Sequence, residues 1–113
     1  MERSEPSTVS EFPLTVQSAK SLIRDLAANH SSRVKFSRHA RERLLERDIT
    51  IAQVFAVLKS HSSRFFEQPH QTPHGDWAMS LEGIAAGDLI RVPLVLKRPE
   101  SDPSALIITV IGL

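Results

Sequence analysis

The 113-residue chain carries 14 Lys and Arg against 13 Asp and Glu, is 41% hydrophobic and 24% charged, and contains neither Cys nor Tyr. A chain of this size makes one domain that buries about two-thirds of its unfolded surface, and the lack of Cys excludes a disulfide framework, a thiolate zinc site, a cysteine nucleophile and an iron–sulfur cluster. No apolar run approaches the roughly 18–20 residues that span a bilayer, and residues 1–20 lack the basic start and apolar stretch of a secretory signal, so the sequence predicts a cytoplasmic protein with no membrane association.

Residues 1–13 mix Ser, Glu and Pro without periodicity and read as a flexible tail, leaving 14–113 as a single domain. Thr15 can cap a first helix, over 15–29, in which Val16, Ala19, Leu22, Ile23, Leu26 and Ala27 recur at helical spacing. Val34-Lys35-Phe36 is short and extended. Ser37 is a good N-cap for a second helix through Arg47, and Thr50-Ile-Ala-Gln53 has the form of a capping box opening a third, through residue 60.

After Ser60 the period changes from helical to alternating. Phe65-Phe66 mark one strand; Trp77, Met79 and Leu81 alternate in a second, and Ile90, Val92, Leu94 and Leu96 in a third. Leu106–Ile111 is apolar except at Thr109, the pattern of a central strand covered on both sides. Turn signals fall at 69–75, 82–88 and 98–104. Pro93 cannot donate a ladder hydrogen bond, so its strand lies at an edge or contains a bulge. The expected fold is α+β: three N-terminal helices packed on a four-stranded antiparallel sheet.

The near-neutral total hides a local concentration of charge. Residues 33–47 hold six Lys or Arg against two Glu, a net of +4, and Arg outnumbers Lys ten to four in the whole chain. A guanidinium grips phosphate or carboxylate through a planar fork, so this bias points to an anionic partner. On the second helix, at about 100° per residue, Arg43 lies about 40° and Arg47 about 80° from His39, with Ala40 and Leu44 at about 100° and 140°. The three polar side chains therefore form a stripe bordering the buried face. An imidazole there can accept a proton or pair with a hydroxyl. A salt-bridged surface helix using Glu42 and Glu46 is the competing reading of the same pattern.

The segment Phe-Ser-Arg-His-Ala-Arg-Glu-Arg-Leu-Leu-Glu-Arg-Asp-Ile-Thr-Ile-Ala-Gln-Val, residues 36–54, resembles the opening of the domain-of-unknown-function family 4258, whose helix reads His-Ala-x-x-Arg-x-x-x-Arg before Gly-Ile-Ser and a second helix. The likeness extends over 34–111, since the family also ends in an Ile-Thr-Val strand. The resemblance implies the barnase-like and RelE-like ribonuclease toxin fold group, a metal-independent ribonuclease of a bacterial toxin–antitoxin system, and as partners RNA and a cognate antitoxin protein. His39 falls on the motif histidine, Arg43 and Arg47 on its arginines, and Thr109 on the threonine of the last strand; Arg91 sits about where several members have a strand histidine. Two positions depart from the pattern: Asp48 replaces the usual Gly, and Ile111 stands where members often have a Tyr.

Metal-free RNA cleavage needs a base for the 2′-hydroxyl, positive charge over the phosphate and an acid for the 5′-oxygen. His39 is the expected base or acid, with Arg43 and Arg91 clamping the phosphate and Thr109 offering it a hydroxyl. Lys35, Arg38, Arg41 and Arg47 are the expected RNA-binding residues. The alternative is a non-catalytic relative that binds RNA or an acidic protein partner through the same basic face; an immunity-like interaction protein is a third reading. No cofactor is expected. His70 and His74 have the spacing of a zinc pair, but Pro69 and Pro73 disfavour a helix there and no acidic third ligand follows, so no metal site is assigned. Trp77, Phe65 and Phe66 are assigned to packing.

Overall fold

In the computed structural model the described residues are 14–113, and the tail assigned to 1–13 lies outside them. The chain runs α1 (Val16–Asn29), a 3₁₀ turn (Ser31–Arg33), β1 (Val34–Phe36), α2 (Arg38–Arg47), α3 (Ile51–Lys59), β2 (Arg64–Gln71), β3 (Trp77–Ala85), β4 (Asp88–Lys97), β5 (Ser104–Ile107) and β6 (Ile111–Gly112).

Each helix starts at the expected cap, because a side-chain oxygen satisfies a first-turn N–H that has no intrahelical partner. Thr15 Oγ1 accepts from Ser18 N at 3.1 Å and Ser37 Oγ from Ala40 N at 3.0 Å. Thr50 and Gln53 form the complete capping box. Gln53 Nε2 also donates to Ala85 O and Asp88 Oδ2, which ties the start of α3 to the β3–β4 turn.

The sheet has six strands, not the four expected, in the order β1-β5-β4-β3-β2, with β6 beside β4. It is mostly antiparallel; β1 pairs β5 in parallel, Val34 opposite Ala105. Three residues are too few to carry a period of two, which is why β1 read only as an extended segment. The remaining extra strand comes from Pro93. Leu94 pairs with Ile107 and Arg91 with Ile111, so three steps along β4 face four along its partner, and one residue is extra. The last strand, expected to be continuous over 106–111, is accordingly split at residues 108–110. Pro93 offers no N–H to this stretch, although its carbonyl accepts from Ile108 N at 3.0 Å. Pro93's strand is thus interior, not at an edge, and the bulge lies opposite it, the extra residue belonging to the β5–β6 stretch and not to β4.

One face of the sheet holds the core. Met79, Leu81, Ile90, Val92, Leu94, Leu96 and Ile107 are each at most 1% exposed, and with Ile23, Leu26, Val54, Val57 and Leu58 of α1 and α3 they form one apolar cluster. Each such side chain contributes roughly 1.5–3 kcal/mol relative to exposure. The alternate residues of β4, Arg91, Pro93, Val95 and Lys97, are only half-buried. Leu106 is half-buried as well, and Ile108 is 38% exposed, so the last strand is not covered on both sides as its composition predicted. Two φ-positive residues, Ala86 (φ 51°) and Gly87 (φ 84°), make the two-residue turn that joins β3 to β4.

Candidate functional site

Helix α2 is positioned by its ends. At its start Ser37 N donates to Ile107 O, and Ser37 Oγ both caps the helix and donates to Ile108 O at 2.8 Å. At its end Asp48 adopts φ 54°, and the N–H of Ile49 reaches Leu44 O at 3.0 Å, the Schellman arrangement that normally selects Gly. Between these anchors only Ala40 and Leu44 are buried. The rest of the helix is a solvated basic surface whose first turn abuts the break between β5 and β6.

On that surface Arg43 Nε donates to His39 Nε2 at 3.3 Å. The i,i+4 spacing on a regular helix places the two side chains on the same stripe. For Nε2 to accept, it must carry the lone pair, which leaves the proton of a neutral ring on Nδ1. The same guanidinium pairs with Glu46 at 2.5 Å, and Arg38 pairs with Glu42 at 3.4 Å. Such exposed pairs are worth about 0.3–0.5 kcal/mol each, so they are given up at little cost. Lys35, Arg41 and Arg47 are exposed and make no ion pair among the described residues. Arg33 is held by Asp102 at 2.5 Å, and this guanidinium keeps the Asp102 carboxyl below its ordinary value.

Arg91 is placed differently. It lies on β4 opposite Glu82 of β3 and Ile111 of β6. Its Nε donates to Glu82 Oε2 at 3.0 Å, and its Cζ stands 3.4 Å from the centre of the Phe66 ring. No hydrogen bond or ion pair joins it to His39 or Arg43. Thr109 sits half-buried in the 108–110 break, and its hydroxyl makes no hydrogen bond with any described residue. The structure therefore brings His39 and Arg43 together, leaves Lys35 on β1 and Arg38, Arg41 and Arg47 at other positions along α2 with no hydrogen bond to that pair, and gives Arg91 a separate set of partners.

Glu82 belongs to that set without having been singled out in the sequence, and Phe66, expected to pack in the core, belongs to it as well. Phe66 is 60% exposed and not part of the core, whereas Phe65 and Trp77 pack as expected. A signal for Glu82 existed: a hairpin turning at Ala86-Gly87 pairs Glu82 with Arg91 automatically, but the turn window of 82–88 was too broad to use it. The outward placement of Phe66 had none, because a register shift between Phe65 and Glu67 makes it the extra residue of a bulge. Among the described residues no three His, Asp or Glu side chains gather as a metal site. No described helix is long and apolar enough to cross a membrane.

Comparison with curated proteins and with solved structures found no match. The family models did give one: residues 36–111, from the last residue of β1 through α2 to β6, which include His39, Arg43, Arg91 and Thr109 but not Lys35, match the one described as "Domain of unknown function (DUF4258)", and the chain belongs to that family.

Proposed function

We propose that the protein is a metal-independent endoribonuclease of the toxin type, with single-stranded RNA as substrate, a cognate antitoxin as partner, the cytoplasm as its compartment and an arrangement of the RelE-like or barnase-like kind. The observation that carries this reading is the His39–Arg43 contact on a largely exposed helix that bears three further arginines. In this reading Arg43 turns from Glu46 to the scissile phosphate, which frees Nε2 of His39 to take the 2′-hydroxyl proton. The long 3.3 Å contact is weak and readily given up. The 2′-oxygen then attacks phosphorus, the bond from phosphorus to the 5′-oxygen breaks as that oxygen takes a proton from water, and a 2′,3′-cyclic phosphate remains. Lys35, Arg41 and Arg47 hold the flanking phosphates.

The test is incubation of the purified protein with single-stranded RNA in excess chelator, with analysis of the product ends. Cyclic-phosphate ends are expected, and His39→Ala lowers the rate by about two to four orders of magnitude, the range for loss of a general acid or base. Undiminished cleavage by the variant rejects the role of His39. One observation favours a second reading, RNA binding without cleavage: among the described residues His39 has no side-chain hydrogen-bond partner besides Arg43, so none of them is a second acid–base group poised beside it. Wild-type protein that binds RNA and leaves it intact decides for that reading.

A further inference from the structure

We infer that Phe66, Glu82 and Arg91 form a receiving site for an unpaired guanine base on the open face of the sheet. The inference rests on RNA as the ligand of this protein and adds the base that it selects.

Glu82 and Arg91 lie directly opposite each other in the β3–β4 ladder, so their side chains rise from the same face, the one turned away from the core. With Cζ only 3.4 Å from the Phe66 ring centre, the guanidinium has to lie flat on the ring, since an upright one would drive its nitrogens into the carbons below. Glu82 takes Nε, which fixes the rotation of the fork. The two terminal nitrogens make no hydrogen bond with any described residue, and neither does the second oxygen of Glu82. A held, flat guanidinium with its terminal edge unused is a donor pair awaiting two coplanar acceptors.

A phosphate is the obvious acceptor, but three features favour a base. The Arg91–Glu82 pair is neutral in sum, and the carboxylate beside the fork repels an anion. That same carboxylate accepts from a base N–H. Phe66 carries the guanidinium on its ring face and so fixes the fork in one plane, which a flat base edge needs and a tetrahedral phosphate does not. Guanine presents two neighbouring acceptors, O6 and N7, on one edge with N1–H next to them for a carboxylate, and adenine presents an acceptor beside a donor; cytosine, with N3 and O2, has the one other such pair but a single ring instead of two. Arg91 is 22% and Glu82 18% exposed, enough for an edge to be reached and little enough for water to compete poorly.

The experiment measures binding of 5′-labelled dodecauridylate carrying one central nucleotide, which is guanosine, 7-deazaguanosine, adenosine or an abasic residue. Guanosine should bind about tenfold more tightly than adenosine, within the discrimination that a bidentate arginine contact gives. The 7-deaza base lacks the N7 acceptor but keeps its stacking face, and should fall to the adenosine level. Arg91→Lys, which keeps the charge and loses the fork, should bring the guanosine-to-adenosine ratio near one. Equal affinity for all four RNAs with the unmodified protein overturns the site, and the 7-deaza comparison decides even where the variant does not fold. If no RNA binds, the reading of RNA as ligand fails by itself. The site is then judged by titrating guanosine and adenosine 5′-monophosphates against the Phe66 ring resonances: a shift with the guanine nucleotide alone supports it, and no shift or equal shifts overturn it.

Discussion

Gly83 is the position at which one added methyl group should do most damage. A Cβ built there meets Ser63 Oγ at a separation that real atoms do not reach, with Ser63 Cβ at 3.3 Å and Val57 Cγ1 at 3.4 Å behind it. Ser63 is 2% exposed, and its hydroxyl donates to Val57 O at 2.7 Å, so it cannot rotate away without leaving a buried O–H unpaired. Overpacking of this kind costs about 1–3 kcal/mol, and an unsatisfied buried hydroxyl about 1–3 kcal/mol more. Against this, replacing Gly by Ala stiffens the unfolded chain and returns about 0.4–1 kcal/mol. Gly83→Ala should therefore destabilise by about 2–4 kcal/mol, or more than about 8 °C in Tm for a domain of this size. Urea unfolding followed by the fluorescence of Trp77, the only tryptophan and 5% exposed, measures it. The cause can be isolated by a cycle: Ser63→Ala removes the atom struck, so the double variant should lose clearly less than the two single losses added, with a coupling of about 0.5–3 kcal/mol. Strict additivity, or a Gly83→Ala protein as stable as the wild type, would show that the packing argument is wrong.

Other consequences can be measured on the same protein. Asp48→Gly should stabilise by about 0.5–1 kcal/mol in the same assay, because the left-handed conformation at φ 54° costs a side chain that glycine lacks. The Asp102 carboxyl is depressed by Arg33, so this contribution to stability is present above the unfolded carboxylate range and is lost as pH falls through the lower, folded value. Unfolding of Arg33→Leu should accordingly show a deficit at neutral pH that narrows on acidification; a deficit that does not change with pH contradicts the assignment. Binding of single-stranded RNA should show a log–log salt slope of about −3 if some four phosphates are held, and reversal of Arg43 and Arg47 to Glu should abolish it. A salt-independent affinity would exclude the α2 face as the contact.

The helices were legible in the sequence and the sheet only in part, for a physical reason. A helix announces itself over three turns of periodic apolar residues and by a cap whose chemistry is local, as with Ser37 and the Thr50–Gln53 box. A strand of three residues has no period, and its pairing partner lies 71 positions away in the case of Val34 and Ala105. Nothing local distinguishes such a segment from a loop. Pro93 shows the intermediate case. Its missing N–H foretold a defect, but only the ladder shows that its strand is interior and that the defect lies opposite it, splitting the chain at 108–110.

The same distinction governs the candidate site. His39 and Arg43 were readable because both sit on one helix, where spacing alone sets proximity, and the 3.3 Å contact follows from it. Of the neighbours of Arg91, Glu82 follows once the turn is fixed at Ala86-Gly87, whereas Phe66 depends on a bulge in the β2–β3 register, which sequence spacing does not encode. That dependence has a consequence for function. A residue whose Nε is held by a carboxylate and whose plane is held by a ring cannot swing to a phosphate on α2 without giving up both contacts, and a half-buried ion pair broken on one side leaves a charge poorly solvated. Arg91 therefore acts best where it stands, on a group brought to it. Cations that must follow a flexible phosphate backbone are better supplied by the exposed helix, whose ion pairs are weak enough to exchange.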